Sequence, residues 1–290
     1  MAALNRLLRT RGLLSSSPFT STACRSYSSP AAESERKFSF GGSIGNNKIP
    51  RKDPSERDVQ WVFLGCPGVG KGTYASRLSN LLGVPHIATG DLVRDELSSK
   101  GPLSQKLAAI VNQGKLVSDE IIISLLSKRL EAQEAKGESG FILDGFPRTI
   151  RQAEILEGVT DVDLVVNLKL REDILVEKCL GRRICNQCGK NFNIANINVK
   201  AENGNPGIYM APLPPPAGCE SKLITRADDT EEVVKQRLRI YNELSQPVEG
   251  FYRSRGMLME FDLPGGIPES WPKLLHALNL DQEEKQSVAA

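Results

Sequence analysis

Apolar positions along the chain fall into short, strand-sized runs that alternate with longer stretches of helical spacing. Residues 60–64 (QWVFL) are an apolar run of β-branched and aromatic side chains ending in a Gly/Pro cluster, and a helical pattern follows through Leu82, so the segment reads as strand, loop, helix. Helical spacing recurs over 91–99, 103–112 and 118–135, the last opened by Ser118, Asp119 and Glu120 as a cap with acidic first-turn residues. A second strand over 140–143 runs into Asp144, a helix starts at Thr149, a third strand covers 164–168 and a helix covers 171–180. This alternation predicts an α/β fold with a parallel sheet covered on both faces. Between 184 and 225 the periodicity fails, with Asn, Gly and Pro crowded into ANINVKAENGNPG and APLPPPAG, which predicts an insertion outside the sheet of the kind that forms lids or stays irregular. A helix over 228–253, begun by the capping and acidic run Asp228-Asp229-Thr230-Glu231-Glu232, then a strand over 257–261 and a helix over 268–280 complete the pattern, with no internal repeat.

The first 57 residues are a different material. Residues 1–32 contain no Asp or Glu, carry Arg6, Arg9, Arg11 and Arg25, and are rich in Ser, Thr and Ala, the chemistry of an organellar transit peptide. Arginines interrupt Leu7, Leu8, Leu13 and Leu14, so the continuous apolar centre of a secretory signal is missing. Arg25-Ser26-Tyr27-Ser28-Ser29 suits a mitochondrial processing site, whereas the Met-Ala start and abundant Ser suit a plastid address; chloroplast stroma and mitochondrial matrix both stay open. A Gly, Ser, Asn and Pro-rich linker over 39–54 precedes Asp58, where the folded part is expected to begin and extend over 58–290.

Composition narrows the rest. The chain has 290 residues, of which 40% are hydrophobic and 25% charged, enough to build a sizeable core with inserted subdomains. Its 37 basic and 35 acidic residues nearly cancel, so no global field points to nucleic acid or a membrane surface, and any anion site must be local. No apolar run reaches the roughly 18 residues of a membrane helix, so a soluble protein is expected, and the balanced charge favours a monomer. The six cysteines are unevenly spaced in a long chain, unlike a secreted disulfide framework, and only Cys185, Cys188 and Cys219 read as a group.

The sharpest chemical signal is Gly65-Cys66-Pro67-Gly68-Val69-Gly70-Lys71-Gly72-Thr73, set directly between a strand and a helix as a P-loop requires. Its glycines let backbone N–H groups turn toward phosphates, and the helix N-terminus and Lys71 add positive potential. Gly72 stands where the commonest form has a metal-binding Ser or Thr, with Thr73 one place later, so Mg²⁺ is expected to rest on phosphate oxygens, waters and an acid such as Asp144. Cys66 reads as a small packing residue, although a helix N-terminus can also activate a thiol.

The chain continues with Ala88-Thr89-Gly90-Asp91-Leu92-Val93-Arg94, Gly114-Lys115-Leu116-Val117-Ser118-Asp119 and Asp144-Gly145-Phe146-Pro147-Arg148-Thr149, followed by Gly181-Arg182-Arg183, Thr225-Arg226-Ala227-Asp228-Asp229 and Arg237. Together with the P-loop these resemble adenylate kinase from about residue 59 to about 280, most of all the long-lid form of plant organelles. The resemblance implies a P-loop nucleoside-monophosphate-kinase fold, a five-stranded parallel sheet with helices on both faces, and two mobile pieces, an NMP-binding segment near 89–119 and a lid near 182–226. It implies reversible phosphoryl transfer from Mg·ATP to AMP giving two ADP. On the ATP side it implies Gly68, Val69, Gly70, Lys71, Gly72, Thr73 and Arg182. On the AMP side it implies Thr89, Gly90, Arg94, Lys115, Leu116, Val117, Gly145, Phe146, Pro147, Arg148 and Gln152, with Arg226 and Arg237 closing on AMP and the transferring group. Lys71, Arg148, Arg182, Arg226 and Arg237 are the residues on which catalysis is expected to rest, because phosphoryl transfer needs alignment and charge neutralisation rather than a strong base. His86 and His276 are expected to be structural. Asp228 and Asp229 match residues that orient lid arginines, and capping alone would also explain them.

Two departures stand out. Cys185, Cys188 and Cys219 resemble three of the four ligands of a zinc-bearing lid, but Lys222 occupies the fourth place and is a poor ligand while protonated, which argues against structural zinc. Lys178 stands where many relatives carry an arginine that stacks on the ATP adenine, which leaves the donor base least defined. The alternatives are a GTP:AMP phosphotransferase, a pyrimidine nucleoside monophosphate kinase, against which Thr89, Gln152 and the long lid weigh, and a nucleotide-binding scaffold without turnover.

Overall fold

A computed structural model describes residues 59–99, 101–201 and 206–280. The transit peptide and linker expected over 1–57 lie outside the described residues. In chain order, β1 (Gln60–Gly65), α1 (Lys71–Leu82), β2 (His86–Ala88), α2 (Thr89–Ser98), α3 (Pro102–Asn112), α4 (Asp119–Glu134), β3 (Phe141–Asp144), α5 (Ile150–Glu157), β4 (Leu164–Lys169) and α6 (Glu172–Leu180) alternate strands with helices. A lobe of short strands follows, with β5 (Arg182–Cys185), β6 (Asn191–Asn193), β7 (Ile197–Val199), β8 (Ile208–Met210) and β9 (Leu223–Ile224), before α7 (Glu231–Ile240), α8 (Gln246–Arg253), β10 (Leu258–Asp262) and α9 (Ile267–Leu278).

Successive side chains of a strand point to opposite faces, and β1 is buried on both. Trp61 and Phe63 enter one apolar cluster while Val62 and Leu64 enter the other, so β1 reads as a continuous apolar run rather than an alternating one. The five-stranded sheet has the order β10-β4-β1-β3-β2 with every neighbouring pair parallel, as expected. Parallel pairing brings the loops after β1, β2 and β3 to one edge, the place where open α/β sheets bind ligands. β2, only three residues long, escaped the pattern because so short a run has no measurable period.

Two helical expectations are corrected. The span 228–253 is α7 and α8 joined by a π-helical turn, Tyr241–Ser245, ahead of Pro247, which has no N–H to continue the α-helical ladder. Its cap is Thr230, whose hydroxyl accepts from the Val233 N–H, leaving Asp228 and Asp229 free for other partners. Ser118 occupies the N-cap position of α4 but its hydroxyl makes no capping bond.

The lobe over 182–226 is outside the main sheet, as expected, but it is built rather than irregular. β5 is the middle of a three-stranded antiparallel sheet, between β6 and β9, and β7 and β8 form a hairpin. Ile197, Ile208 and Met210 of this hairpin belong to the same apolar cluster as Trp61 and Leu274, and the Gly266 N–H donates to the Tyr209 carbonyl at 3.0 Å. The hairpin is therefore seated on the core.

Candidate active site

The loop from β1 to α1 has the backbone of an anion cradle. Gly68 (φ 87°) and Gly70 (φ 111°) adopt left-handed conformations that side chains resist, and a Cβ on Gly68 would lie 2.6 Å from the Cys179 sulfur. Lys71 opens α1 and donates from Nζ to the carbonyls of Gly65 (2.7 Å) and Cys66 (3.0 Å). Burial pushes its ammonium down to about 8, while Asp144 opposes the shift. Val69 is buried, and the Thr73 N–H donates to the Gly70 carbonyl at 2.9 Å. A Cβ on Gly72 would sit 3.1 Å from Oδ2 of Asp144, which gives a steric reason for glycine there: the β3 carboxylate fills the space beside the loop. Burial pushes the Cys66 thiol up to about 11, so it packs rather than reacts. Lys178 turns to this same loop and donates from Nζ to the Val69 carbonyl at 3.1 Å.

A second cavity of about 680 Å³ opens beside α2 and α3. Thr89, Gly90, Arg94, Lys115, Leu116 and Val117 line one side, and Gly145, Phe146, Arg148, Gln152 and Arg237 line the other. The Thr89 hydroxyl donates to the Asp144 carbonyl at 3.1 Å, which ties the start of α2 to the end of β3. Arg94 forms an ion pair with Asp91 one turn earlier, and Arg148 donates from Nε to the Gly145 carbonyl at 2.7 Å. Burial pushes Arg148 down to about 10, with Arg237 the next contributor. Gln152 is no exposed helix residue: it is buried, accepts from the Arg148 N–H at 2.7 Å and donates to Asp119 Oδ1 at 2.7 Å. Pro147 lies on the other side of this wall.

That other side is a cavity of about 590 Å³ lined by the phosphate loop, Lys71, Pro147, Arg148, Arg237 and the π turn. Gly114, Leu116, Gly145, Arg148 and Arg237 face both cavities, so an anion in one can meet an anion in the other across two guanidinium groups. Ser245 of the π turn donates to the Arg148 carbonyl at 3.0 Å, a support that a 3.6-residue helical reading of 228–253 could not reveal. Asp119 was likewise missed as a supporting group, because its acidic first-turn position already explained it, whereas Asp228, expected to orient an arginine, also lines the cavity.

The arginines of the lobe and of α7 are held by partners in the lobe and in the acidic run that precedes α7. Arg182 grips the fully buried Asp229 carboxylate with two N–H groups, Nε at 2.8 Å; burial works against its charge, but Asp229 holds the guanidinium above its ordinary range. Arg237 donates to Asp228 at 2.8 Å, and Arg226 to the Asn191 side chain at 2.8 Å. Burial pushes Arg226 down to about 9, followed by repulsion from Arg182 and Arg94. Neither Arg182 nor Arg226 lines either cavity. The sulfurs of Cys185, Cys188 and Cys219 lie within 4.8 Å of one another, and Lys222 donates to the Gln187 side chain instead of joining them.

A glycine cradle with its lysine, a neighbouring nucleotide-sized pocket and two arginines in the shared wall define a P-loop phosphotransferase. The family model described as adenylate kinase matches residues 63–257. The chain is 73% identical over 268 residues to "Probable adenylate kinase 1, chloroplastic" of Oryza sativa subsp. japonica, covering 92% of this chain and 90% of that protein. It is 70% identical over 292 residues to "Adenylate kinase 1, chloroplastic" of Arabidopsis thaliana and 68% identical over 291 residues to "Adenylate kinase" of Solanum tuberosum, each match covering 100% of both chains. The chain belongs to the adenylate kinase family.

Proposed function

We propose that the chain transfers the γ-phosphoryl group of Mg·ATP to the phosphate of AMP, reversibly, giving two ADP. The observation that carries this reading is the wall shared by the two cavities, where Arg148 and Arg237 stand between the phosphate loop and the acceptor pocket. ATP lays its phosphates on the N–H groups of 68–73 and on Lys71, and AMP enters the pocket lined by Thr89, Gly90, Arg94, Lys115, Leu116 and Val117. Arg94 and Arg148 hold the AMP phosphate, Gly145, Phe146 and Pro147 shape the wall behind it, and Gln152 meets the base by exchanging one of its present bonds. The acceptor oxygen then attacks in line, and Lys71, Arg148, Arg182, Arg226 and Arg237 neutralise charge spreading over the transferring oxygens. Asp144, a hard oxygen donor beside Gly72, fits a magnesium ion held through water, and the ion would supply further neutralisation of the phosphates.

Two segments are proposed to move, the NMP-binding segment 89–119 and the lid 182–226, with closure keeping water from the phosphoryl group. Both nucleotide sites draw on one chain, which supports a monomer as the working unit. The lid is proposed to work without zinc, because Lys222 is engaged with Gln187. Residues 1–57 are proposed as a chloroplast transit peptide and linker, supported by the acid-free, Ser- and Arg-bearing composition of 1–32 and by the chloroplastic names of similar proteins. Among the described residues no helix is long and apolar enough to cross a membrane.

The test is a coupled assay of ADP formation from Mg·ATP with AMP, GMP, UMP or CMP, beside Lys71→Met and Arg148→Ala. ADP formed with AMP alone and lost in both variants supports the reading; no transfer to AMP, or a preference for UMP, refutes it. Replacing ATP by GTP in the same assay separates a GTP-dependent enzyme from the proposed one.

A further inference from the structure

The residue that departs most from the family pattern on the donor side has a place in the structure that its sequence position did not suggest. Lys178 lies in the last turn of α6, and its Nζ donates to the Val69 carbonyl at 3.1 Å, inside the phosphate loop. The same helix supplies two more contacts to that loop. A Cβ on Gly68 would meet the Cys179 sulfur at 2.6 Å and the Leu175 carbonyl at 2.9 Å, and a Cβ on Gly70 would lie 3.7 Å from the Lys178 ammonium. Positions 175, 178 and 179 share one helical face, so α6 forms a floor under the loop. The end of this floor is itself fixed, because Asn193 of β6 donates from its side-chain amide to the Lys178 carbonyl at 2.8 Å.

A trans peptide is planar, with its C=O and N–H pointing in opposite directions. Holding the Val69 carbonyl against α6 therefore turns the Gly70 N–H the other way. Gly70, at φ 111° and ψ 15°, is a residue with wide backbone freedom and would otherwise let that peptide rotate. The ammonium is a strong donor for this purpose, since hydrogen bonds from charged groups are about twice as strong as neutral ones.

We infer that Lys178 is a positioning residue for phosphate binding: by holding the Val69 carbonyl it orients the Val69–Gly70 peptide so that the Gly70 N–H faces the donor polyphosphate. The inference rests on the proposed ATP site but concerns polyphosphate rather than adenine. Its ligand class is accordingly any nucleoside triphosphate or inorganic tripolyphosphate. Burial, which pushes the Lys178 ammonium down to about 8, is consistent with a group turned in toward the loop.

The experiment compares the full chain with Lys178→Met and Lys178→Arg in four readouts: calorimetric Kd for inorganic tripolyphosphate, KM for ATP, KM for AMP, and the ¹⁵N–¹H resonance of Gly70 without ligand. In Lys178→Met, Kd for tripolyphosphate and KM for ATP should both rise roughly 10- to 100-fold, the range expected for losing one charged hydrogen bond. KM for AMP should stay within about twofold, the Gly70 resonance should shift before any ligand is added, and Lys178→Arg should restore most of the affinity by keeping a cationic donor. A loss confined to ATP, with tripolyphosphate bound normally, would assign Lys178 to the base and overturn the inference; an unmoved Gly70 resonance would also overturn it. If Lys178→Met unfolds, Lys178→Gln takes its place: loss of the charged donor should raise Kd for tripolyphosphate and shift the Gly70 resonance together, and an unmoved resonance overturns the inference. Wild-type ADP formation is measured in parallel, so failure of the adenylate kinase reading and failure of the Lys178 role give different results.

Discussion

The acceptor pocket and the lid are built on opposite principles. One wall of the acceptor pocket is tied to the end of β3 and to α4: Thr89 bonds to Asp144 at the end of β3, Arg148 to Gly145 in the loop after it, and Gln152 to both Arg148 and Asp119. Arg182 and Arg226 hang on partners away from the pocket, Asp229 ahead of α7 and Asn191 in the lobe, and line neither cavity. The wall at the end of β3 is thus pre-organised, whereas Arg182 and Arg226 would have to exchange bonds to take part in the proposed transfer. Pre-organisation favours selective binding of the acceptor, whereas groups recruited by the phosphates can contribute where charge develops during transfer.

The largest effect is expected where both halves meet. Arg148→Ala should cost about 10³-fold or more in kcat and also raise KM for AMP, whereas Arg226→Ala should lower kcat with little change in KM for AMP. Steady-state kinetics of the two variants separates a binding wall from a recruited group; equal effects on KM would erase the distinction. Next in size is Asp229→Ala, which leaves Arg182 without its buried partner and should destabilise the fold by about 3 kcal/mol, read by denaturant unfolding.

A smaller, pH-dependent difference should separate the donor from the acceptor. Lys71 and Lys178 are both pushed down to about 8 by burial and Arg148 only to about 10, so rising pH removes positive charge from the phosphate loop first. Loss of a cation weakens polyanion binding. Above pH 8, kcat/KM for ATP should therefore fall by up to about tenfold per unit while KM for AMP stays flat until near pH 10. A parallel rise of both KM values between pH 8 and 9 would contradict the assignment. The smallest effect is expected from Gln152→Ala, which should raise KM for AMP several-fold and narrow the preference for AMP over GMP, since a buried amide discriminates by leaving the wrong base unpaired.

What was legible in the sequence follows the same divide. The phosphate loop and the pocket residues lie in contiguous motifs next to strand ends, so local order sufficed to bring Lys71, Thr89, Gly145 and Arg148 to one sheet edge. The lobe was legible only as a break in periodicity, because strands of two or three residues, such as β7 and β9, show no period. Its seat on the core through Tyr209 and Gly266 joins residues distant in sequence and left no local trace. Asp228 and Asp229 carried two meanings, cap or arginine anchor; the structure gives the cap to Thr230 and the arginines to the two aspartates. The turn of Lys178 toward Val69 depends on how α6 lies under the loop, which spacing alone does not specify.

The comparison between an anchored acceptor wall and a recruited lid is tested most directly by distance. Spectroscopic labels at position 190 in the lid and on the core would be followed in the free protein, with AMP alone, and with an ATP–AMP bisubstrate analogue. Arg226 is repelled by Arg182 and Arg94 until phosphates lie between them, so the separation should be long and broadly distributed when free, little changed by AMP, and shorter and narrower with the analogue. The same distribution in all three states would contradict a lid recruited by the phosphates it helps to transfer.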